Sequence, residues 1–174
     1  MLSIRPIALI LTLILSLGLA GCGSSSKKNS GAPGTSNANT DDQDMGSDGM
    51  ELQINGDSDS GKAGALQTVY FDFNSSNLDS STRASLQANA EYLKNNSGVE
   101  VQIEGHCDER GGVQFNLALG EKRAMAVKQY LVSMGVNSSR VSTISFGKER
   151  PIAFGHDESS WSKNRRANFV VTAK

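Results

Sequence analysis

The positions of the aromatic residues in this 174-residue chain confine any hydrophobic core to its C-terminal part. All ten Trp, Tyr and Phe residues lie at or after Tyr70, whereas 16 of the 43 residues from 23 to 65 are Gly or Ser. A segment of that composition cannot bury enough apolar surface to offset the entropy lost on ordering. We therefore expect residues 22–66 to form a disordered tether rich in Gly, Ser and Asp, and residues 67–174 to form one folded domain.

The N-terminus carries a single long apolar run, from Ile7 to Leu19, behind Arg5. This run is too short to span a bilayer, which takes roughly 20 residues, and it is typical of an export signal that ends in small residues. The sequence Leu19-Ala20-Gly21-Cys22 resembles the lipobox of bacterial lipoproteins. That resemblance implies removal of residues 1–21, a lipid on Cys22 and, because Gly23 follows, anchoring in the outer membrane with the domain facing the periplasm. An ordinary signal peptide with an incidental Cys is the alternative.

The charge distribution gives little support for a nucleic-acid partner. Residues 67–174 hold 13 Lys and Arg against 11 Asp and Glu, and residues 23–66 hold three against seven. Neither segment carries the basic stripe with interleaved aromatic residues that is typical of nucleic-acid binding. We therefore expect no nucleic acid among the partners.

Hydrophobic periodicity from residue 68 onwards predicts an α/β domain, an α+β sandwich in which two helices pack on one face of a mixed sheet. The first helix begins at Asp79 or Ser80, and its Leu86, Ala90 and Leu93 fall at i, i+4 and i+7. The second helix keeps a helical spacing of apolar residues over 119–134. Strands are expected at residues 68–73, 99–104, 141–146 and 167–172, which gives the order β-α-β-α-β-β.

Asp108 and Arg123 are the two residues whose chemistry suggests a binding site. Asp108 follows the second predicted strand, and Arg123 lies 15 residues later in a helix that packs back on the sheet. Arg holds a carboxylate through two parallel hydrogen bonds, and Asp accepts hydrogen bonds from an ammonium group. Together they can receive a zwitterion with both groups. A simple salt bridge between Asp108 and Arg123 is the alternative.

The stretch from Val69 to Thr172 resembles the OmpA-like peptidoglycan-binding domain. The hallmark of that family is Gly-x-x-Asp followed by Asn-x-x-Leu-[Ser/Gly]-x-x-Arg-Ala, and this chain has it at Gly105–Asp108 and Asn116–Ala124. The resemblance implies a ligand, the meso-diaminopimelate of peptidoglycan peptide stems, which carries a free amine and a free carboxylate. It also implies the residues that form the ligand pocket: Asp108, Arg123, Arg110, Leu119, Asn116, Phe73 and Asn74.

Two positions depart from the family pattern. Asn74 stands where the family often has Asp, which removes a charge near the ligand, and Cys107 stands where it often has Ala or Thr. If Cys22 carries lipid, Cys107 has no partner within the chain. We expect Cys107 to be a small, partly buried apolar side chain, and an intermolecular disulfide is the alternative.

The resemblance further implies a TolB-like periplasmic partner and a role in envelope integrity and constriction during cell division, as in lipid-anchored members of the family. A protein-interaction module with a degenerate wall pocket is the alternative function. We also expect Arg165-Arg166 and Gly155–Glu158 to form a solvated rim, and a specific contact is the alternative.

A cell-wall hydrolase is disfavoured by the placing of the reactive side chains. His106, Cys107 and Asp108 are adjacent at a strand end, so their side chains point to opposite faces and converge poorly on one centre. The chain also has none of the HExxH, CxxC or GxSxG patterns. We therefore expect no catalysis, no cofactor and no metal.

Overall fold

The computed structural model describes residues 52–174. The predicted signal peptide, the lipidation site at Cys22 and most of the predicted tether lie outside the described residues. The elements, in chain order, are β1 (Val69–Tyr70), α1 (Ser80–Asn95), β2 (Glu100–His106), α2 (Val113–Ser133), a 3₁₀ turn (Ser138–Arg140), β3 (Val141–Gly147), α3 (Glu158–Asn164) and β4 (Arg166–Ala173).

Within the described residues the strands form one mixed sheet in the order β1-β4-β2-β3. Strand β4 is antiparallel to both β1 and β2, whereas β2 and β3 are parallel and are connected through α2. The predicted mixed α/β architecture is confirmed. The sequence did not predict the short helix α3, and β1 is shorter than the six residues expected.

Helices α1 and α2 share one core with the strand residues that face them. Leu86, Ala90 and Leu93 of α1 are buried, as their spacing predicted, and they join Val127 and Leu131 of α2 in that core. Helix α1 begins where the sequence predicts, because the Asp79 side chain accepts a hydrogen bond from the backbone N–H of Thr82 at 2.7 Å. Such a cap satisfies an N–H group that has no partner inside the helix.

Residues 52–66 pack on the domain, so the prediction of a disordered segment up to residue 66 is wrong for this stretch. The N–H groups of Asn55 and Ser58 donate to the carbonyls of Val171 and Phe169 at 2.8 and 2.9 Å. The segment thereby continues along β4 beyond the end of β1, while Leu66 enters the core. Composition did not indicate this order because edge pairing uses backbone groups, which every non-proline residue offers.

Within residues 52–174, no helix combines the length and the apolar character needed to cross a bilayer.

Candidate functional site

A cavity of about 240 Å³ opens where β2 ends and α2 begins. All seven residues that the sequence motif implied are found in its lining: Phe73, Asn74, Asp108, Arg110, Asn116, Leu119 and Arg123. Phe115, Cys107, Gly111 and Arg165 also line it and were not predicted as site residues. The fold therefore brings together residues from the loop after β1, the end of β2, helix α2 and the junction between α3 and β4.

Asp108 is a buried carboxylate held by two arginines. Its Oδ2 accepts from Arg110 Nη2 at 2.6 Å and from Arg165 Nη1 at 3.3 Å, and its Oδ1 accepts from Arg110 Nε at 3.2 Å. Burial by itself raises the pKa of Asp108, but the hydrogen bonds from Arg110 outweigh it and hold that pKa below its ordinary value. Asp108 is therefore ionised at neutral pH.

Arg123 lies at the floor of the cavity and has no exposed surface. Its guanidinium donates to the backbone carbonyls of Asp72 at 3.0 Å, Ser75 at 2.8 Å and His106 at 2.7 Å. It also reaches Cys107 Sγ at 3.5 Å. Arg123 therefore ties the loop after β1 to the end of β2. The salt bridge with Asp108 that the sequence left open as an alternative is not formed.

Arg110 lies at the mouth of the cavity between two aromatic rings. Its Cζ is 3.9 Å from the ring centroid of Phe73 and 4.0 Å from that of Trp161. A guanidinium at such distances is attracted by the ring faces on both sides. Because Arg110 also chelates Asp108, it is fixed in position although about a third of its side chain is exposed.

The loop that carries Asp108 and Arg110 is braced from several sides. Asn116 Nδ2 donates to the carbonyl of Arg110 at 2.8 Å, and Lys148 Nζ donates to that of Gly111 at 2.8 Å. The Glu109 carboxylate accepts a hydrogen bond from Trp161 Nε1 at 2.9 Å and pairs with His156 Nδ1 at 2.8 Å. Helix α3 therefore contributes to the site, although the sequence did not predict the helix.

Asn74 adopts a left-handed backbone conformation with φ of 51°. Among residues other than Gly, Asn and Asp enter this region most readily. Replacement of the family's frequent Asp by Asn therefore keeps the turn that presents Phe73, although it removes a charge. The Phe73 side chain is exposed at the rim of the cavity, and Leu119 forms the opposite, half-buried wall.

Cys107 is buried, with 3% of its surface exposed. Burial raises the pKa of its thiol, so the neutral form is favoured. This agrees with the prediction of a small buried side chain, and a thiol from another molecule cannot reach it in this conformation.

Arg165 and Arg166 are buried, so the prediction of a solvated rim at this pair is wrong. Arg165 donates to the Phe71 carbonyl at 2.9 Å and pairs with Asp108 and Glu158, whereas Arg166 pairs with Asp59 at 2.7 Å. Phe71, Asp108 and Asp59 lie 57 to 107 residues before the arginines that they hold, whereas Glu158 is only seven residues from Arg165. Residues 155–158 are exposed, as expected.

His106 lies outside the cavity lining. Its ring stacks on Phe146 with the centroids 5.7 Å apart, and its Nε2 lies 3.4 Å from Glu104 Oε2. Burial lowers the pKa of His106 and favours the neutral ring. His106, Cys107 and Asp108 therefore do not converge on one centre, and residues 52–174 hold no group of three His, Cys, Asp or Glu side chains suited to a metal ion.

The charges of the cavity favour a ligand with a carboxylate. One carboxylate, Asp108, lines it together with three guanidinium groups, those of Arg110, Arg123 and Arg165. Arg123 has five N–H donors, and four of them point to the partners given above. The fifth, on Nη2, is donated to none of these partners.

Comparison with known proteins gives one consistent family. The OmpA family profile matches residues 70–165. A peptidoglycan-associated lipoprotein of Pseudomonas aeruginosa is 49% identical over 109 residues, which cover 63% of this chain and 64% of that protein. A peptidoglycan-associated lipoprotein of Mesorhizobium japonicum is 37% identical over 158 residues, which cover 91% of this chain and 88% of that protein. The match thus spans just under two-thirds of the first relative and most of the second.

Solved structures agree with the fold. The peptidoglycan-associated lipoprotein from Burkholderia pseudomallei, for which a crystal structure is known, has 47% sequence identity with this chain. The two structures match with a TM-score of 0.58, over 60% of this chain and 88% of that one. The C-terminal domain of Helicobacter pylori MotB has a TM-score of 0.59 over 63% of this chain and 86% of that one. At 21% identity, the second likeness concerns the fold alone.

Proposed function

The chain belongs to the OmpA family, among the peptidoglycan-associated lipoproteins, and we propose that its cavity binds the diaminopimelate of peptidoglycan peptide stems without forming a covalent bond. In this proposal the domain holds the cell wall while a lipid on Cys22 holds the outer membrane. The protein is a binder and not a hydrolase.

The observation that carries the proposal is the cavity with one buried carboxylate among three guanidinium groups. The second centre of diaminopimelate carries an amine and a carboxylate. Its carboxylate accepts the remaining Nη2 N–H of Arg123, and its ammonium shares the Asp108 carboxylate with Arg110. A carboxylate has room for about four hydrogen bonds, and Asp108 already accepts three from Arg110 and one from Arg165. The ammonium therefore takes the place of one of these donors, and the contact from Arg165 Nη1, at 3.3 Å, is the longest of the four.

Leu119 and the rings of Phe73 and Phe115 supply the apolar part of the lining. They can contact the methylene groups between the two ends of diaminopimelate. A stem that ends in lysine has the methylene groups and the amine but lacks the carboxylate, and we expect it to bind weakly because the excess guanidinium charge stays uncompensated.

Co-sedimentation with purified sacculi tests this function. We expect the wild-type chain to pellet with sacculi that contain diaminopimelate and not with lysine-type sacculi, and free meso-diaminopimelate to compete. Asp108→Asn should lower the affinity at least about tenfold, since charge-assisted hydrogen bonds contribute roughly 1.5–3 kcal/mol each. Glu91→Gln, on the exposed face of α1, is the matched control.

Pelleting of Asp108→Asn at the wild-type level would refute the assignment of the cavity. Release of soluble muropeptides from the sacculi during the same incubation would instead indicate a hydrolase. Arg123→Ala is a poor test, because it leaves three carbonyl groups without their donor and opens a buried cavity.

Membrane attachment through Cys22 is the second part of the proposal. It is supported by the lipobox-like sequence and by the lipoprotein relatives. Intact-mass measurement of the protein extracted from membranes tests it directly. We expect a chain that starts at Cys22 and carries the added mass of acyl chains, including palmitate. A chain that retains residues 1–21 would contradict the proposal.

A TolB-like periplasmic protein is the proposed protein partner, within a Tol system that maintains the envelope and acts in constriction at cell division. Phe73 and Phe115 support a protein contact, because 59% and 55% of their surfaces are exposed at the cavity rim. Exposed apolar groups that lie together are typical of binding surfaces. If the contact covers this rim, free diaminopimelate should weaken TolB binding, and unchanged TolB binding would place the contact elsewhere.

A further inference from the structure

A second cleft, of about 380 Å³, lies between β1, the first half of α1 and the end of α3. Its volume falls in the range of small-molecule sites. The polar and aromatic residues of the lining include Tyr70, Asp72, Asp79, Ser81, Ser85 and Ser162. None of these residues takes part in the diaminopimelate site proposed above.

The walls of this cleft are fastened to one another by hydrogen bonds. Thr82 Oγ1 donates to the Tyr70 carbonyl at 2.9 Å, which joins α1 to β1. Phe71 and Arg165 exchange two hydrogen bonds at 2.9 Å, one of them through Arg165 Nε, which joins the loop directly after β1 to the end of α3. The cleft is therefore formed before any ligand binds.

The chemistry of the lining suits a neutral ligand with many hydroxyl groups. Serine hydroxyls both donate and accept hydrogen bonds, and carboxylates accept them from hydroxyl groups. Two acids, Asp72 and Asp79, are balanced by two bases, Lys163 and Arg165. Tyr70 adds half-exposed aromatic surface. This combination favours a sugar over an anion or a cation.

The cleft lies beside the cavity at the end of β2. Arg165 lines both, and the chain passes from Phe71 and Asp72 in the cleft directly to Phe73 and Asn74 in the cavity. In a peptide stem, two amino acids separate the diaminopimelate from the sugar. Such a spacer spans about 7 Å when extended, a distance that a guanidinium side chain lining both sites can bridge.

We propose that this cleft binds the N-acetylated amino sugar that carries the peptide stem. The inference rests on the proposed function, because it takes the neighbouring cavity to be the diaminopimelate site. The chain then recognises both the peptide and the glycan of the wall at adjacent positions.

Calorimetry of the full chain in detergent with two probes tests the inference. The first probe is the tripeptide L-Ala-γ-D-Glu-meso-diaminopimelate, and the second is the same tripeptide attached to its disaccharide. We expect the second probe to bind about tenfold more tightly, as two additional hydrogen bonds to neutral groups would give. Ser85→Trp, which fills the cleft from α1, should remove this difference and leave the affinity for the tripeptide unchanged.

Ala88→Trp is the matched control, since it places the same side chain on an exposed position of α1 outside the cleft lining. If Ser85→Trp loses the tripeptide as well, Tyr70→Ala replaces it as the test variant. Equal affinity of the wild-type chain for both probes would overturn the glycan site alone. Failure of both probes to bind would overturn the proposed function, and the glycan site with it.

Discussion

Gly105 of β2 and Gly120 of α2 meet backbone to backbone where the helix crosses the sheet. A Cβ on Gly105 would lie 1.9 Å from the Gly120 carbonyl oxygen, closer than any real Cβ contact. This close approach positions the N-terminal half of α2 over the end of β2. It thereby places Asn116, Leu119 and Arg123 around Asp108, so the Gly of the family motif has a packing role that supports the site.

We expect Gly105→Ala to destabilise the domain by about 3 kcal/mol, because the added methyl group forces two backbones apart and overpacks the interface. Urea unfolding measures the loss of free energy. Gly98→Ala is the control, since its Cβ would make only an ordinary contact at 3.5 Å. Equal unfolding midpoints for the two variants would show that α2 can shift away at little cost.

Helices α1 and α2 and strands β2 and β3 could be predicted from the sequence because their apolar residues repeat with the period of the element. Asp108, Asn116, Leu119 and Arg123 could be proposed as site residues because they belong to a motif around the connection of β2 to α2, whereas Phe73 and Asn74 were proposed only from the family resemblance. Arg165 was assigned wrongly because its partner Asp108 lies 57 residues earlier, and periodicity carries no information on such a distant pair. Residues 52–66 were missed because the β4 groups that hold them lie more than 100 residues later in the sequence.

The packing of residues 52–66 predicts that the stable unit begins before residue 67. The free energy of unfolding of a chain that starts at residue 67 should be at least about 2 kcal/mol lower than that of a chain that starts at residue 52. The reason is that the shorter chain lacks Leu66 and Ala63, which are part of the core. Arg166 would also lose its partner Asp59. Urea unfolding compares the two chains.

Leu66→Ala in the chain that starts at residue 52 removes the buried Leu66 side chain without the other effects of truncation. We expect it to lower the free energy of unfolding by about 2 kcal/mol. Ile54→Ala is the matched control, since Ile54 is more than half exposed, and its effect should stay within about 0.5 kcal/mol. Identical stability of the two truncated chains would mean that residues 52–66 contribute nothing.

Because Asp108 is buried as a carboxylate, we expect the domain to lose stability at acidic pH. Its pKa is lowered in the folded state, so the stabilisation is fully present above the unfolded pKa of about 3.9 and is lost as the pH falls through the lower folded value. Urea unfolding between pH 7 and pH 3 should show a shallower loss for Asp108→Asn than for the wild type. Parallel curves would show that Asp108 does not contribute to the pH dependence.

Arg110→Lys keeps the positive charge at the cavity mouth but removes the planar guanidinium group. Lysine cannot make the paired hydrogen bonds to Asp108, and its ammonium cannot stack as a plane between Phe73 and Trp161. We expect the affinity for sacculi to fall about tenfold, since one charge-assisted hydrogen bond contributes roughly 1.5–3 kcal/mol. Arg83→Lys, on the exposed face of α1, should bind as the wild type does. If Arg110→Lys also binds as the wild type does, the charge at the mouth is sufficient and the aromatic sandwich plays no part in holding the wall.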